Sequence, residues 1–185
     1  MKRCDWANSN SLEMEYHDKE WGVPIHDDRS LFEMLILESA QSGLSWVTIL
    51  KKRKGYLSAF DNFDAKKISK YTDKNIEYLL QNPEIVRHRQ KIYATIENAR
   101  QFLIIQDEYG SFDKYIWSFV AGKPIKNSWQ HLSNVPASTS VSEAMSKDLK
   151  KKGFKFVGPT TCYAFMQAAG MVNDHLTSCF RYSEV

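Results

Sequence analysis

Four residues near the two ends of the chain carry metal-ligand chemistry: Cys4 and His17 at one end, His175 and Cys179 at the other. His175 and Cys179 stand in the spacing His-x-x-x-Cys, and on a helix residues four apart share a face, so both can reach one ion. Two thiolates and two imidazoles suit tetrahedral zinc. With all four engaged, no coordination position stays open for water or substrate, so the ion would be structural and would tie the chain ends together. On spacing alone the set is weak, because the interval from Cys4 to His17 matches no standard finger. The competing reading is that Cys179 is a small core residue and His175 a histidine satisfied by backbone. Cys162, in the apolar run TTCYAFM, reads as packing.

Glu38 is the second candidate. It lies in the otherwise apolar LFEMLILESA, one turn beyond Met34 and Leu35, and so points into surroundings where an unpaired carboxylate is destabilising. A cationic ligand would relieve that, and Tyr16, Trp21 and Trp46 crowd the neighbouring segments. The alternatives are a partly exposed helix-end carboxylate and ordinary core tryptophans.

The elements that must position these groups read as helices, with almost no alternating strand pattern. Leu31 to Gln41 is apolar on most faces, follows Asp27 and Asp28, and stops at Gly43. Ser45 caps a second helix that runs through Trp46 and Leu50 into the basic cluster Lys51 to Lys54 and stops near Gly55. Short helices start at Asp64 and Thr72. After a turn at Pro83, a long helix carries Ile92, Ile96, Ala99 and Leu103 on one face and ends at Gly110. Ser111 caps the aromatic segment Phe112 to Val120, and Gly122 to Pro136 reads as loop. Ser140 and Glu143 form a capping box, and Pro159 opens a last apolar helix.

The 185 residues fit one domain with a substantial core, and the 13% aromatic content is high. The segment MKRCDWANSNSLEMEYHDKEW has no continuous apolar run, which excludes a signal or membrane anchor there and leads us to expect a cytoplasmic protein. Three cysteines in a reducing compartment favour metal ligation or burial over disulfides. A net charge of +3 permits an anionic partner without demanding one.

The strings YHDKEWGVP, LFEMLILE, SGLSWVTILKKR, VRHRQKI and KGFKFVGPTTCYAFMQAAGMVNDH closely resemble the 3-methyladenine DNA glycosylase I family, over essentially the whole chain. The resemblance implies an all-α helix-hairpin-helix glycosylase fold of two lobes. One lobe is formed by both chain ends (about 1–30 and 155–185); the central lobe holds the hairpin near 72–108, with a base pocket between them. It implies a single domain over 1–185, with Cys4, His17, His175 and Cys179 as the zinc clasp. Glu38 becomes the base-recognition carboxylate, Tyr16 and Trp46 stacking aromatics, and Trp21 and Trp6 further pocket wall. Double-stranded alkylated DNA is the implied partner, from which N3-methylated adenine is flipped out, and nothing in the sequence demands more than a monomer. Free 3-methyladenine is the product, released by attack of water on the sugar, and an abasic site remains.

Chemistry supports that reading: N3-methylated adenine is cationic on its sugar and leaves as a neutral base, so the leaving group needs little help. Glu38 could instead activate the water as a general base. Free N–H groups at the start of the long helix can hold a phosphate, extended by Arg87, Arg89 and Lys91, unless these are a solvated face. The turn NPEIV lacks the glycine usual in such hairpins. The resemblance further implies that Gly43 and Leu44 form the wedge into the duplex; the alternative is a helix-helix turn with Leu44 packed inward. Two other classes compete: a zinc-stabilised DNA-binding module and a zinc hydrolase.

Overall fold

A computed structural model of the chain describes residues 1–185. The chain forms nine α-helices, α1 (Ser11–Lys19), α2 (Asp28–Gln41), α3 (Trp46–Ala59), α4 (Ala65–Ile68), α5 (Asp73–Leu80), α6 (Arg89–Tyr109), α7 (Phe112–Trp117), α8 (Ser140–Lys151) and α9 (Pro159–Ala168). The only strands are β1 (Ile125–Lys126) and β2 (Val172–Asn173), paired in parallel with Ile125 opposite Val172. The all-helical expectation holds. No helix is long and apolar enough to cross a membrane.

Local chemistry sets most helix boundaries. The Asp27 carboxylate accepts from the Ser30 amide at 2.8 Å to open α2, Asn75 Oδ1 accepts from the Thr72 amide (2.9 Å) and hydroxyl (3.0 Å) across the first turn of α5, and Gly110, at φ 82°, ends α6 in the left-handed conformation a glycine tolerates. Helix α2 is buried on nearly every face and packs against α3, α6, α7 and α9, so it is the axis of the main core. A separate small cluster, Cys4, Tyr16, Trp21, Leu176 and Cys179, gathers residues from both chain ends. The ends also meet through backbone, with the Phe180 amide donating to the Lys2 carbonyl at 3.0 Å.

Four features differ from the sequence reading. Gly55 does not stop α3 but lies inside it, because a Cβ there would come within 2.3 Å of the Glu84 carbonyl oxygen: the hairpin turn packs directly on the helix backbone. The α8 capping box is Thr139 with Ser142, one position earlier than expected, and Glu143 accepts instead from Ser138. The loop from Gly122 to Pro136 contains β1 and a 3-10 turn, Leu132–Asn134. His175 and Cys179 are not on a helix. The chain leaves α9 through Gly170, at φ 69°, into β2, and a turn closed by the Cys179 amide on the Leu176 carbonyl (2.7 Å) brings the two side chains together.

Candidate base pocket and metal centre

Cys4, His17, His175 and Cys179 are all buried, and their ligand atoms lie within 4.8 Å of one another. Metal bonds of ~2.3 Å to sulfur and ~2.0–2.1 Å to nitrogen place tetrahedral ligand atoms roughly 3.4–3.8 Å apart. The separations here match: Cys4 Sγ to His175 Nδ1 is 3.7 Å, Cys179 Sγ to His175 Nδ1 3.6 Å, and Cys179 Sγ to His17 Nε2 3.4 Å. Each imidazole is oriented through its other nitrogen, His17 Nδ1 on Asp18 at 2.8 Å and His175 Nε2 on the Trp21 carbonyl at 3.0 Å, the arrangement metal-ligating histidines adopt. Asp18 is itself held by Arg3. Burial pushes the Cys4 thiol up to about 12, so its thiolate needs a cation beside it. The donors fit a tetrahedral metal ion. Although the helical argument for His175 and Cys179 fails, the four residues expected to meet do meet.

Against this centre lies a cleft of about 330 Å³, of the size that takes a small ligand, lined by Trp6, Tyr16, Trp21, Glu38 and Trp46 among others. The centre shapes the cleft wall directly. Trp6 follows Cys4 by two positions, Tyr16 precedes His17, and the Trp21 ring stands edge-on to His175 at 4.6 Å. Trp6 meets Trp21 edge-on at 5.1 Å, and Tyr16 lies tilted against Trp46 at 5.1 Å.

Glu38 enters from α2 and is only 6% exposed. Neither cation nor hydrogen-bond donor of the protein relieves it, and burial alone pushes its carboxyl up from 4.5 to about 8. Tyr16 Oη and Trp46 Nε1 are likewise buried without a partner. Burial, and then the Glu38 charge, holds the Tyr16 phenol well above its ordinary value. Three unsatisfied polar groups in one aromatic cleft amount to a site preorganised for a flat ligand bearing both donors and acceptors.

Sequence reading missed Asp174, which lines the same cleft. One carboxylate oxygen accepts from Asn127 (2.7 Å) and Trp129 (2.8 Å), the other from Tyr163 (2.6 Å) and Gln167 (2.7 Å). It therefore fastens α9 and the loop after β1 to the residue beside His175. Its place in the string NDH, next to a candidate ligand, was the only hint.

The turn between α2 and α3 carries Gly43 at φ 78°, with open space where a Cβ would stand, and Leu44, which is 40% exposed and does not pack inward. In the hairpin between α5 and α6, no residue of the turn has positive φ. Asn82 Oδ1 accepts from the Glu84 amide at 2.9 Å and Ile85 is buried, so this turn closes without glycine. Arg87 is exposed, and Arg89 pairs with Glu77 at 2.6 Å on the surface. Lys91 departs from the expected phosphate surface: its ammonium turns inward to the carbonyls of Ala40 (2.8 Å) and Ser42 (2.6 Å).

Comparison with known proteins agrees with this geometry. The methyladenine glycosylase family model matches residues 6–182. The DNA-3-methyladenine glycosylase of Haemophilus influenzae is 50% identical over 177 residues, 96% of each chain. A crystal structure of 3-methyladenine DNA glycosylase I superposes with a TM-score of 0.95 at 51% identity, over 97% of this chain and 98% of that one. A second, in complex with 3-methyladenine, does so with a TM-score of 0.94 at 40% identity, over 97% of each. With nearly every residue covered at this level of identity, the chain belongs to the methyladenine glycosylase family.

Proposed function

We propose that this protein flips N3-methylated adenine out of alkylated double-stranded DNA and hydrolyses its N-glycosidic bond, releasing free 3-methyladenine and leaving an abasic site. The carrying observation is Glu38: a buried carboxyl with no partner, in an aromatic cleft with two further unpaired donors. Burying such a group is destabilising unless a ligand compensates it. A cationic adenine does so twice, through its charge and through the donors on its edge. Tyr16 and Trp46 stack on the base, and Trp6 and Trp21 close the wall.

The chemistry asked of the protein is modest. Positive charge on the methylated ring makes the base a good leaving group, so the sugar–base bond breaks with its electron pair moving onto the ring. A water oxygen bonds the sugar carbon and loses a proton to solvent. We assign Glu38 to base recognition rather than water activation, because the substrate's charge already supplies what a general base would. A damaged base also leaves its stack at lower cost, which adds selectivity.

Leu44, presented by Gly43, serves as the wedge that fills the gap, with Arg87, Arg89 and the amides at the start of α6 holding phosphates. The pocket lies between the lobe built from the chain ends and the central lobe that carries the hairpin. Cys4, His17, His175 and Cys179 would hold a structural zinc ion, which supplies no chemistry to the reaction beyond fixing the cleft wall. A zinc hydrolase is disfavoured because four protein donors leave no position for water. A bare DNA-binding module leaves Glu38 unexplained. We further assign the protein to the cytoplasm as a monomer.

The test is incubation with methylated duplex DNA and detection of the released base. Wild type should release 3-methyladenine, and Glu38→Gln should do so more slowly and bind the free base more weakly. Equal release and equal binding by Glu38→Gln would remove Glu38 from both roles.

A further inference from the structure

We infer that Lys91 is a positioning residue that pins the wedge turn to the hairpin helix, rather than a phosphate ligand. The inference rests on the glycosylase reading above. Lys91 stands in the first turn of α6, where its own amide donates to the His88 side chain at 3.3 Å. Its ammonium donates to the carbonyls of Ala40 and Ser42, at the C-terminal end of α2.

Those carbonyls belong to the last turn of a helix, where no intrahelical donor reaches them and the helix dipole is negative. A cation there satisfies both needs. No carboxylate competes for it, since Lys91 takes part in no ion pair, and its partial burial lowers its basicity. Directly beyond Ser42 come Gly43 and Leu44, both exposed, with open space where a Gly43 Cβ would stand. The Leu44 amide donates back to the Gln41 carbonyl at 2.6 Å. So the base of the turn is clamped from α6 while its tip stays free.

The same helix end carries Glu38 one turn earlier. Lys91 thereby links three parts of the proposed machinery: the hairpin on the phosphates, the wedge in the stack and the carboxyl in the pocket. The two carbonyls take two of the ammonium's three N–H donors and hold it at the turn; drawn away to a phosphate, it would leave the end of α2 without donors.

Salt dependence separates the two roles, because losing one phosphate contact lowers the slope of log affinity against log salt by about one. Lys91→Met keeps the stem but removes charge and donors, whereas Lys91→Gln removes the charge and keeps a donor. Excision from methylated duplex should fall on the order of tenfold or more in Lys91→Met and less in Lys91→Gln. The duplex-binding salt slope and the affinity for free 3-methyladenine should stay at wild-type values in both. Amide hydrogen exchange at Gly43 and Leu44 should accelerate in Lys91→Met.

A slope lowered by about one in either variant overturns the inference, as does unchanged excision in Lys91→Met. If Lys91→Met does not fold, Lys91→Gln alone decides through its slope and its excision rate. Failure of the glycosylase reading itself would show separately, as wild-type protein that releases no base.

Discussion

At the scale of single residues, Glu38 is a buried carboxyl with no partner in the protein, on which the proposed base recognition rests. Burial raises its carboxyl from 4.5 to about 8. Between these values the folded protein keeps a proton that the unfolded chain releases, so stability contributed by this group falls as pH rises from about 4.5 to about 8, and is level on either side. Glu38→Gln should therefore be more stable than wild type, by little near pH 4 and by on the order of a few kcal/mol above pH 8. Chemical denaturation across that range checks it, and a pH-independent difference would contradict it. The same shift bears on binding: if the ionised form accepts from the adenine edge, affinity for 3-methyladenine should rise with pH up to about 8 and then level. Titration calorimetry giving a flat profile in wild type would sink that assignment. This site was half legible from residue types. An acid in an apolar run announced Glu38, whereas the partnerless Tyr16 Oη and Trp46 Nε1 are facts about neighbours that no local pattern encodes.

Helices were the more legible level, because caps and periodicity act within a few residues. Asp27, Thr72, Ser111 and Gly110 each do in the structure what their types imply. The misreadings arise where tertiary packing decides. Gly55 looks like a stop, yet it is a gap in the side-chain surface of α3 that admits the hairpin backbone at Glu84. Ala at an ordinary helix interior position would stabilise by roughly 0.5–1 kcal/mol. Here the added Cβ lies 2.3 Å from the Glu84 carbonyl oxygen, and overpacking of this kind costs about 1–3 kcal/mol, so the second effect wins. Gly55→Ala should lower stability and, by displacing the hairpin, weaken duplex binding more than binding of the free base. Melting curves together with affinities for the two ligands test this, and a stabilised variant with normal duplex binding would show that the turn yields freely. His175 and Cys179 were likewise misplaced on a helix, since the departure of the chain after Gly170 depends on β2 pairing with β1 far away in sequence.

Considered whole, the molecule is a large core around α2 with the pocket built where the two chain ends return to it. Joining Cys4 to Cys179 through one ion closes a loop of nearly the whole chain. By the loop-entropy argument such a cross-link stabilises on the order of 5 kcal/mol, yet the main core includes none of the four ligands. Helices packed on α2 should consequently outlast the loss of metal. The cleft should not, because Trp6 and Trp21 of its wall pack on His17 and His175 and lie outside that core. Stripping the metal with a chelator should thus abolish 3-methyladenine binding and excision and lower the melting temperature, while most far-UV helical signal persists at low temperature. Metal analysis of the untreated protein should return one zinc per chain. Had the ion only a general stabilising role, base affinity and helicity would be lost together along one transition. If it were the reactive centre, chelated protein would keep its base affinity and its melting temperature while losing turnover. Loss of the pocket ahead of the core separates the clasp from both, since it follows only if the ion's task is to hold the aromatic wall opposite Glu38.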